Sequence, residues 1–295
     1  MLNPRLLAPR YWPSWTLVGL LRLISHLPWR WQLTIGRLIG CAARRIAGRR
    51  RKIAAANLAL CFPEIPEDDR RRLLIEHFES LGIGIIEAAN GWWKPTPWLA
   101  RRLHLEGLEN LHNALAAGHG ALLLTAHFTT LEMGAQMLGF THPSTGVYRQ
   151  HENPVFDRVM HAGRLARGGT LFERSNLRGL LRSLRAGNTV WFAPDQAYLG
   201  PHGVEAPFFG APAPTNTATA RIAAASGAPV LPFFVERLPG TAGYRITIEP
   251  ALADFPVGDP IADAARVNAV LEAGIRRVPA QYLWSHDRFK HFRRP

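Results

Sequence analysis

The chain has 295 residues, 47% hydrophobic and 19% charged, which gives ample material for a core and excludes a disordered tail, a collagen-like fibre and a polytopic membrane protein. Thirty-five Lys and Arg oppose 22 Asp and Glu, a formal charge of +13. Residues 1–52 hold eleven of the bases and no acid, which leaves 24 (35 less 11) against 22 in residues 53–295.

Residues 11–27, YWPSWTLVGLLRLISHL, form a mostly apolar run broken by Arg22 and His26. It falls short of the roughly twenty apolar residues that a membrane span requires. Trp12, Trp15, Trp29 and Trp31 bracket it as aromatic rings do at a bilayer interface. Two membrane readings follow, a marginal single span or an interfacial helix lying in one leaflet. A soluble amphipathic helix packed on the body is the alternative. Arg30, Arg37, Arg44, Arg45, Arg49, Arg50, Arg51 and Lys52 then supply a basic run of the kind drawn to anionic headgroups. If the helix spans, that run places the body in the cytoplasm. No small-residue cleavage site follows the apolar run, as a signal peptide would need. Nucleic acid is not an expected partner, because the tryptophans belong to the apolar run rather than to a stacking platform. The expected organisation is a membrane anchor over residues 1–52 and one catalytic domain over residues 53–295. Cys41 and Cys61 exclude a disulfide scaffold and read as reduced cytosolic thiols.

In the body, Glu67, Asp68 and Asp69 open a helix whose apolar period continues through Leu73, Phe78, Leu81 and Ile86. A helix over about 108–117 ends at the breaker Gly118-His119-Gly120, and the period then changes. Residues 121–126, ALLLTA, are a continuous apolar run, the pattern of a strand buried on both faces. A helix near 130–138, a strand near 145–148, a helix near 153–166 and a strand at 170–172 follow. Next come a helix at 176–186, a strand at 189–193, a Pro/Gly-rich loop at 194–214 and a helix near 216–226. Strands at 229–235 and 244–248 precede a last helix over about 261–278. This alternation predicts an α/β fold with a mostly parallel central sheet flanked by helices. Ligands in such folds gather where strands end.

G-x-S-x-G, H-E-x-x-H, Walker A and C-x-x-C are all absent from the sequence, and no metal-ligand set is apparent. What stands out is HFTTLE, with His127 directly after the buried strand and Glu132 five residues on, in the first turn of the next helix. A carboxylate there can fold back to the imidazole Nδ1 and leave Nε2 free as a base. With no protein nucleophile beside it, such a base suits a substrate hydroxyl. By spacing alone the pair fits a structural histidine equally well. Trp191, Phe192, Phe208 and Phe209 are candidates for an apolar groove or for the core, and His151, His161, His202 and His286 have no predicted partner.

The flanks of the motif add to this. The segment resembles the H-x-x-x-x-[DE] motif of glycerolipid-type acyltransferases, GGTLFER at 168–174 is similar to their second block, and APVLPFF at 228–234 to their fourth. The resemblance is closer to the lipid A biosynthesis acyltransferases, the late lauroyl and myristoyl transferases of Gram-negative bacteria. It covers residues 57–290 through NLALCFPE, FESLGIGIIE, HFTTLEMGA, GVYRQHENPVFD, ERSNLRGLLRSL, VWFAPDQAYLGP and QYLWSHDRFK. The resemblance implies transfer of a fatty acyl chain from acyl carrier protein to the 3-hydroxyl of an acyl chain on a lipid A precursor. It implies no cofactor beyond that thioester co-substrate, and a location at the cytoplasmic face of the inner membrane, single-pass or monotopic. It implies His127 and Glu132 as the catalytic pair, with Arg149, Arg164, Arg174 and Asp195 as substrate-binding residues. A relative acting on another glycolipid or aminoacyl lipid, a non-catalytic lipid-binding relative and a thioester hydrolase are the alternatives.

Overall fold

The computed structural model describes residues 4–142, 144–166, 169–173 and 176–290. Four helices come first: α1 (Trp12–His26), α2 (Trp29–Ile46), α3 (Gly48–Cys61) and α4 (Glu67–Trp93). The short α5 (Thr96–Ala100) leads into β1 (Leu103–Glu106) and α6 (Leu108–Ala116). The alternating part is β2 (Ala121–Leu124), α7 (Leu131–Thr141), β3 (Thr145–Tyr148), α8 (Pro154–Leu165), β4 (Thr170–Glu173), α9 (Leu177–Arg185) and β5 (Thr189–Phe192). A hairpin of β6 (Gly203–Phe208) and β7 (Ala211–Asn216) precedes α10 (Ala218–Ser226), β8 (Val230–Arg237), β9 (Tyr244–Ile248) and α11 (Pro260–Arg277).

Seven strands form one sheet in the order β1-β9-β8-β2-β5-β3-β4, with every pair parallel except β8 and β9. The predicted α/β class and most element positions are therefore observed. Capping sets several helix starts: Asn153 accepts from the Val155 N–H, Asn176 from Gly179 and Asp259 from Ile261, with Pro154 and Pro260 at the first helical positions.

The crossovers decide which face each helix covers. From β2 to β3 and from β3 to β4 the chain moves outward across the sheet, while from β4 to β5 it moves back. Right-handed connections then put α7 and α8 on one face and α9 on the other. The buried residues agree: Leu122 and Leu124 pack with Leu180, Leu184 and Ile222, whereas Ala121 and Leu123 pack with Met133 and Met137. Of the N-terminal helices, α1, α2 and the later turns of α4 join the α7 side, where α4 packs on α7 and α8 and α1 also touches α8, whereas Ala54, Leu58, Leu73 and Phe78 of α3 and early α4 belong to the same buried cluster as Leu180 and Ile222.

Three expectations change here. Among the described residues no helix is long and apolar enough to cross a membrane, and α1 has only 15 residues, so the single span is unsupported. The boundary at residue 52 falls within the continuous helix α3. The segment before it is no separate appendage, because α2 lies along α4 at backbone contact. A Cβ added at Gly82 would overlap the Gly36 carbonyl, and one at Gly40 would overlap that of Phe78. Finally, the stretch expected as a loop contains the β6–β7 hairpin, with Pro207 opposite Pro212 and Glu205 opposite Pro214. A two-stranded ribbon leaves both outer edges unbonded, so proline is tolerated there.

Candidate active site

Strand register builds the centre of the site. β2 and β5 are adjacent and parallel with Leu124 beside Phe192. His127 and Asp195 each lie three residues beyond that last pair, so the two chains leave the sheet together and bring these side chains face to face. The imidazole Nδ1 is 2.6 Å from Asp195 Oδ1, and the His127 backbone N–H donates to Asp195 Oδ2 at 3.1 Å. Asp195 is buried and His127 partly open. Burial alone would lower the His127 pKa, but the charge and hydrogen bond of Asp195 raise it above its ordinary value. Burial would likewise raise the Asp195 carboxyl, yet His127 and the nearby Arg288 hold it below the usual carboxylate range. Asp195 is thus an anion that keeps the proton on Nδ1. Nε2 has no hydrogen-bond partner among the described residues.

Glu132 does something else. Its carboxylate accepts from Arg164 at 3.1 Å and 3.0 Å through Nε and at 2.7 Å through Nη2, and from the Trp92 indole N–H at 2.8 Å. This bidentate, largely buried pair joins α7 to α8. Trp92, at the end of α4, is wedged against Gly163, where a Cβ would overlap its ring. The expected bond from Glu132 to His127 is therefore not made. A carboxylate one turn into α7 reaches the guanidinium on the neighbouring helix, and the imidazole is already held by the strand-end aspartate.

Both groups open on one cavity of about 1040 Å³, at the upper limit of the roughly 300–1,000 Å³ of a typical small-molecule site. Thr125, His127, Glu132, Tyr148, Arg149 and Arg164 line one part of it, Leu131, Ala135, Val147, Leu171, Trp191 and Phe192 supply apolar wall, and Asn176, Leu177, His202, Ala218 and Arg221 line another part. Polar and apolar side chains thus share its wall.

Bacterial lipid A biosynthesis acyltransferase is the family description that matches residues 2–291. The chain is 38% identical to the lipid A biosynthesis lauroyltransferase of Escherichia coli strain K12, over 97% of this chain and 94% of that protein. It is 36% identical to the palmitoleoyltransferase of that strain over 96% and 93%, and 26% identical to its myristoyltransferase over 94% and 86%. The chain belongs to the bacterial lipid A biosynthesis acyltransferases. Its activity class is accordingly acyl transfer in lipid A assembly, with a lipid A precursor glycolipid as the substrate that the family implies.

In this acyltransferase the residues expected from sequence are distributed unevenly. His127, Glu132, Arg149 and Arg164 all line the cavity, and Asp195 lies behind His127 as its buried partner rather than as a substrate contact. Arg149 is mostly exposed and lies 3.7 Å from Glu152. Arg174 lies outside the described residues. Trp191 and Phe192 are cavity wall, whereas Phe208 and Phe209 belong to the core with Phe62 and Trp284. Neither Cys41 nor Cys61 is in a disulfide.

Several contributors carry no sequence signal of their own. Tyr282 is buried, and burial together with the nearby Asp195 carboxylate pushes its pKa well up, while His286 accepts from the Ala197 N–H at 3.1 Å. Beneath the HFTT segment, Arg237 pairs with Glu87 at 2.5 Å and donates to Ser80 at 2.9 Å. Ser80 bonds Thr129 at 2.7 Å, and the Thr129 N–H donates to the Gln281 carbonyl, also at 2.7 Å. This buried lattice fixes the backbone on which His127 stands. Only the polar letters of FESLGIGIIE and QYLWSH hinted at it.

Proposed function

We propose that this protein transfers a fatty acyl group from the thioester of acyl carrier protein to a 3-hydroxyacyl hydroxyl of a lipid A precursor, with His127 as the general base. The observation that carries the reading is the His127–Asp195 contact at 2.6 Å with Nε2 open to the cavity and no protein nucleophile bonded to it. Nε2 removes the hydroxyl proton as the oxygen attacks the thioester carbonyl. The carbon–sulfur bond then breaks, and the leaving thiolate takes the proton back from Nε2. Asp195 stabilises the intervening imidazolium, general-base assistance of a kind worth roughly 10²- to 10⁴-fold. Glu132 holds Arg164 in the cavity wall, where Nη1, without a partner among the described residues, is available to an anionic group of the acceptor. No cofactor enters this chemistry.

The enzyme works at an anionic membrane surface, on the cytoplasmic side, through α1 and α2. Leu17, Leu20 and Leu23 are exposed at helical spacing on α1, Trp31, Leu38 and Ile46 are exposed on α2, and Arg30, Arg37 and Arg45 stand among them. An exposed apolar stripe edged by arginines is the signature of a helix lying in the interface. This supports the monotopic reading over a span.

Transfer of a labelled acyl chain from acyl carrier protein to a tetra-acylated, Kdo-bearing precursor tests the chemistry. His127→Ala is expected to lose at least 10²-fold in kcat with the fold intact, and full turnover by that variant would overturn the assignment. Vesicle flotation tests the surface. Replacing Leu17, Leu20 and Leu23 by Ser is expected to lower partition onto anionic vesicles by roughly 10²-fold, at about 1 kcal/mol per leucine withdrawn from the interface. Unchanged flotation would refute the interfacial docking.

A further inference from the structure

The cavity reaches a second surface that the chemistry above does not use. Its lining includes Asn176 and Leu177 at the start of α9, and Ala218 and Arg221 on α10. Both helices lie on the sheet face opposite α7, α8, α1 and α2. Within α9, Arg178, Arg182 and Arg185 recur at spacings of four and three and so share a face. All three are exposed, as is Arg221 of α10. The Arg185 guanidinium donates to the Ala225 carbonyl at 2.6 Å and ties the two helices into one surface. Residues 177–185 and 218–226 contain four arginines and no acid, and none of the four forms an ion pair among the described residues. Like charges at i and i+4 repel one another. The stripe is unfavourable to the chain alone and becomes favourable against an anionic partner.

We infer that the α9–α10 arginine face is the docking surface for the acidic carrier protein that delivers the acyl thioester, its tethered acyl arm entering the cavity past Leu177 and Arg221. This rests on the carrier-protein donor proposed above. A protein fits this face better than a lipid surface does. The exposed leucines of α1 and the exposed Trp31, Leu38 and Ile46 of α2 lie on the other side of the sheet, so a membrane held there leaves α9 and α10 to the aqueous phase. The donor then comes from water and the lipid acceptor from the bilayer, and both reach His127 at the strand ends between the two faces.

The test compares the full-length enzyme with R178E/R182E and with R71E/R72E, a double reversal of the same net charge on the exposed start of α4. With lauroyl–acyl carrier protein as varied donor at low salt, R178E/R182E is expected to raise KM at least 10-fold and leave kcat within 2-fold, while R71E/R72E stays within 2-fold in both. Raising salt from 50 to 300 mM is expected to raise the wild-type KM and to change that of R178E/R182E little. Equal KM values for wild type and R178E/R182E would overturn the docking face. So would equal losses in the two double variants, or loss of flotation on anionic vesicles with KM unchanged. A wild-type enzyme that transfers from a coenzyme A thioester and not from acyl carrier protein would instead remove the donor reading itself.

Discussion

Asp195→Asn separates the two carboxylates of the site. Asp195 receives the Nδ1–H and the backbone N–H of the same histidine. Asparagine offers one acceptor oxygen where aspartate offers two. Either the amide turns its NH₂ to the imidazole and drives the proton onto Nε2, or it leaves the His127 backbone N–H without an acceptor. In both cases the imidazolium of the proposed transfer step loses a buried counter-charge. Breaking such a pair costs about 3–5 kcal/mol, which is roughly 10²- to 10⁴-fold in kcat. The pH profile carries the sign. Asp195 raises the His127 pKa against burial, so without the anion the imidazole falls below its present value and the acid limb of kcat/KM moves to lower pH. Glu132→Gln leaves that limb in place. It weakens the hold on Arg164, and because that pair is partly open to solvent the loss is about 1–2 kcal/mol, or roughly 5- to 30-fold, in acceptor KM. The assay is steady-state transfer from pH 5 to 9 with both substrates varied. An acid limb that stays put in Asp195→Asn, or moves equally in Glu132→Gln, would refute the division of roles.

Two further substitutions test the packing. Gly82→Ala drives a methyl group into the Gly36 carbonyl and the Gly40 backbone and is expected to cost about 3 kcal/mol or more by thermal melting. Gly19→Ala, in the middle of α1 with open space around it, is expected to stabilise by about 0.5–1 kcal/mol. A similar melting change in both would refute the close helix crossing. His77 is buried, and burial pushes its pKa down to about 4, partly offset by the carbonyls of Ala280 and Tyr282. A histidine lowered in the folded state from 6.5 leaves stability complete above pH 6.5 and erodes it as pH falls toward 4, by about 2 kcal/mol at pH 5. Urea midpoints at pH 7 and pH 5 should therefore draw apart by that much more in wild type than in His77→Phe. An equal change in the two proteins would remove His77 as the cause.

Local sequence carried the sheet well. Continuous apolar runs at β2, β5 and β8 and helical periods between them placed most elements within a few residues, because burial on both faces leaves a one-dimensional trace. Strand neighbours leave none. His127 and Asp195 stand at equal distances past their strands, but their meeting requires β2 and β5 to be adjacent, and 68 residues separate them in the chain. Glu132 was close in sequence and therefore drew the assignment that Asp195 holds in space. The β6–β7 hairpin was hidden by its prolines, and β1, at the sheet edge, by the absence of a continuous apolar run in its Leu-His-Leu-Glu sequence. Trp92 and Tyr282 look like ordinary core aromatics until the helices bring their polar ends to Glu132 and Asp195.

The backbone contact of α2 with α4 bears on how far this enzyme can be shortened. Removing residues 1–52 would strip the neighbour from the helix that supplies Ser80, Glu87 and Trp92, so a shortened chain would lose its catalytic geometry together with its greasiness. Polar side chains can instead replace the outward leucines of α1 without disturbing that contact, since Leu17, Leu20 and Leu23 are all exposed.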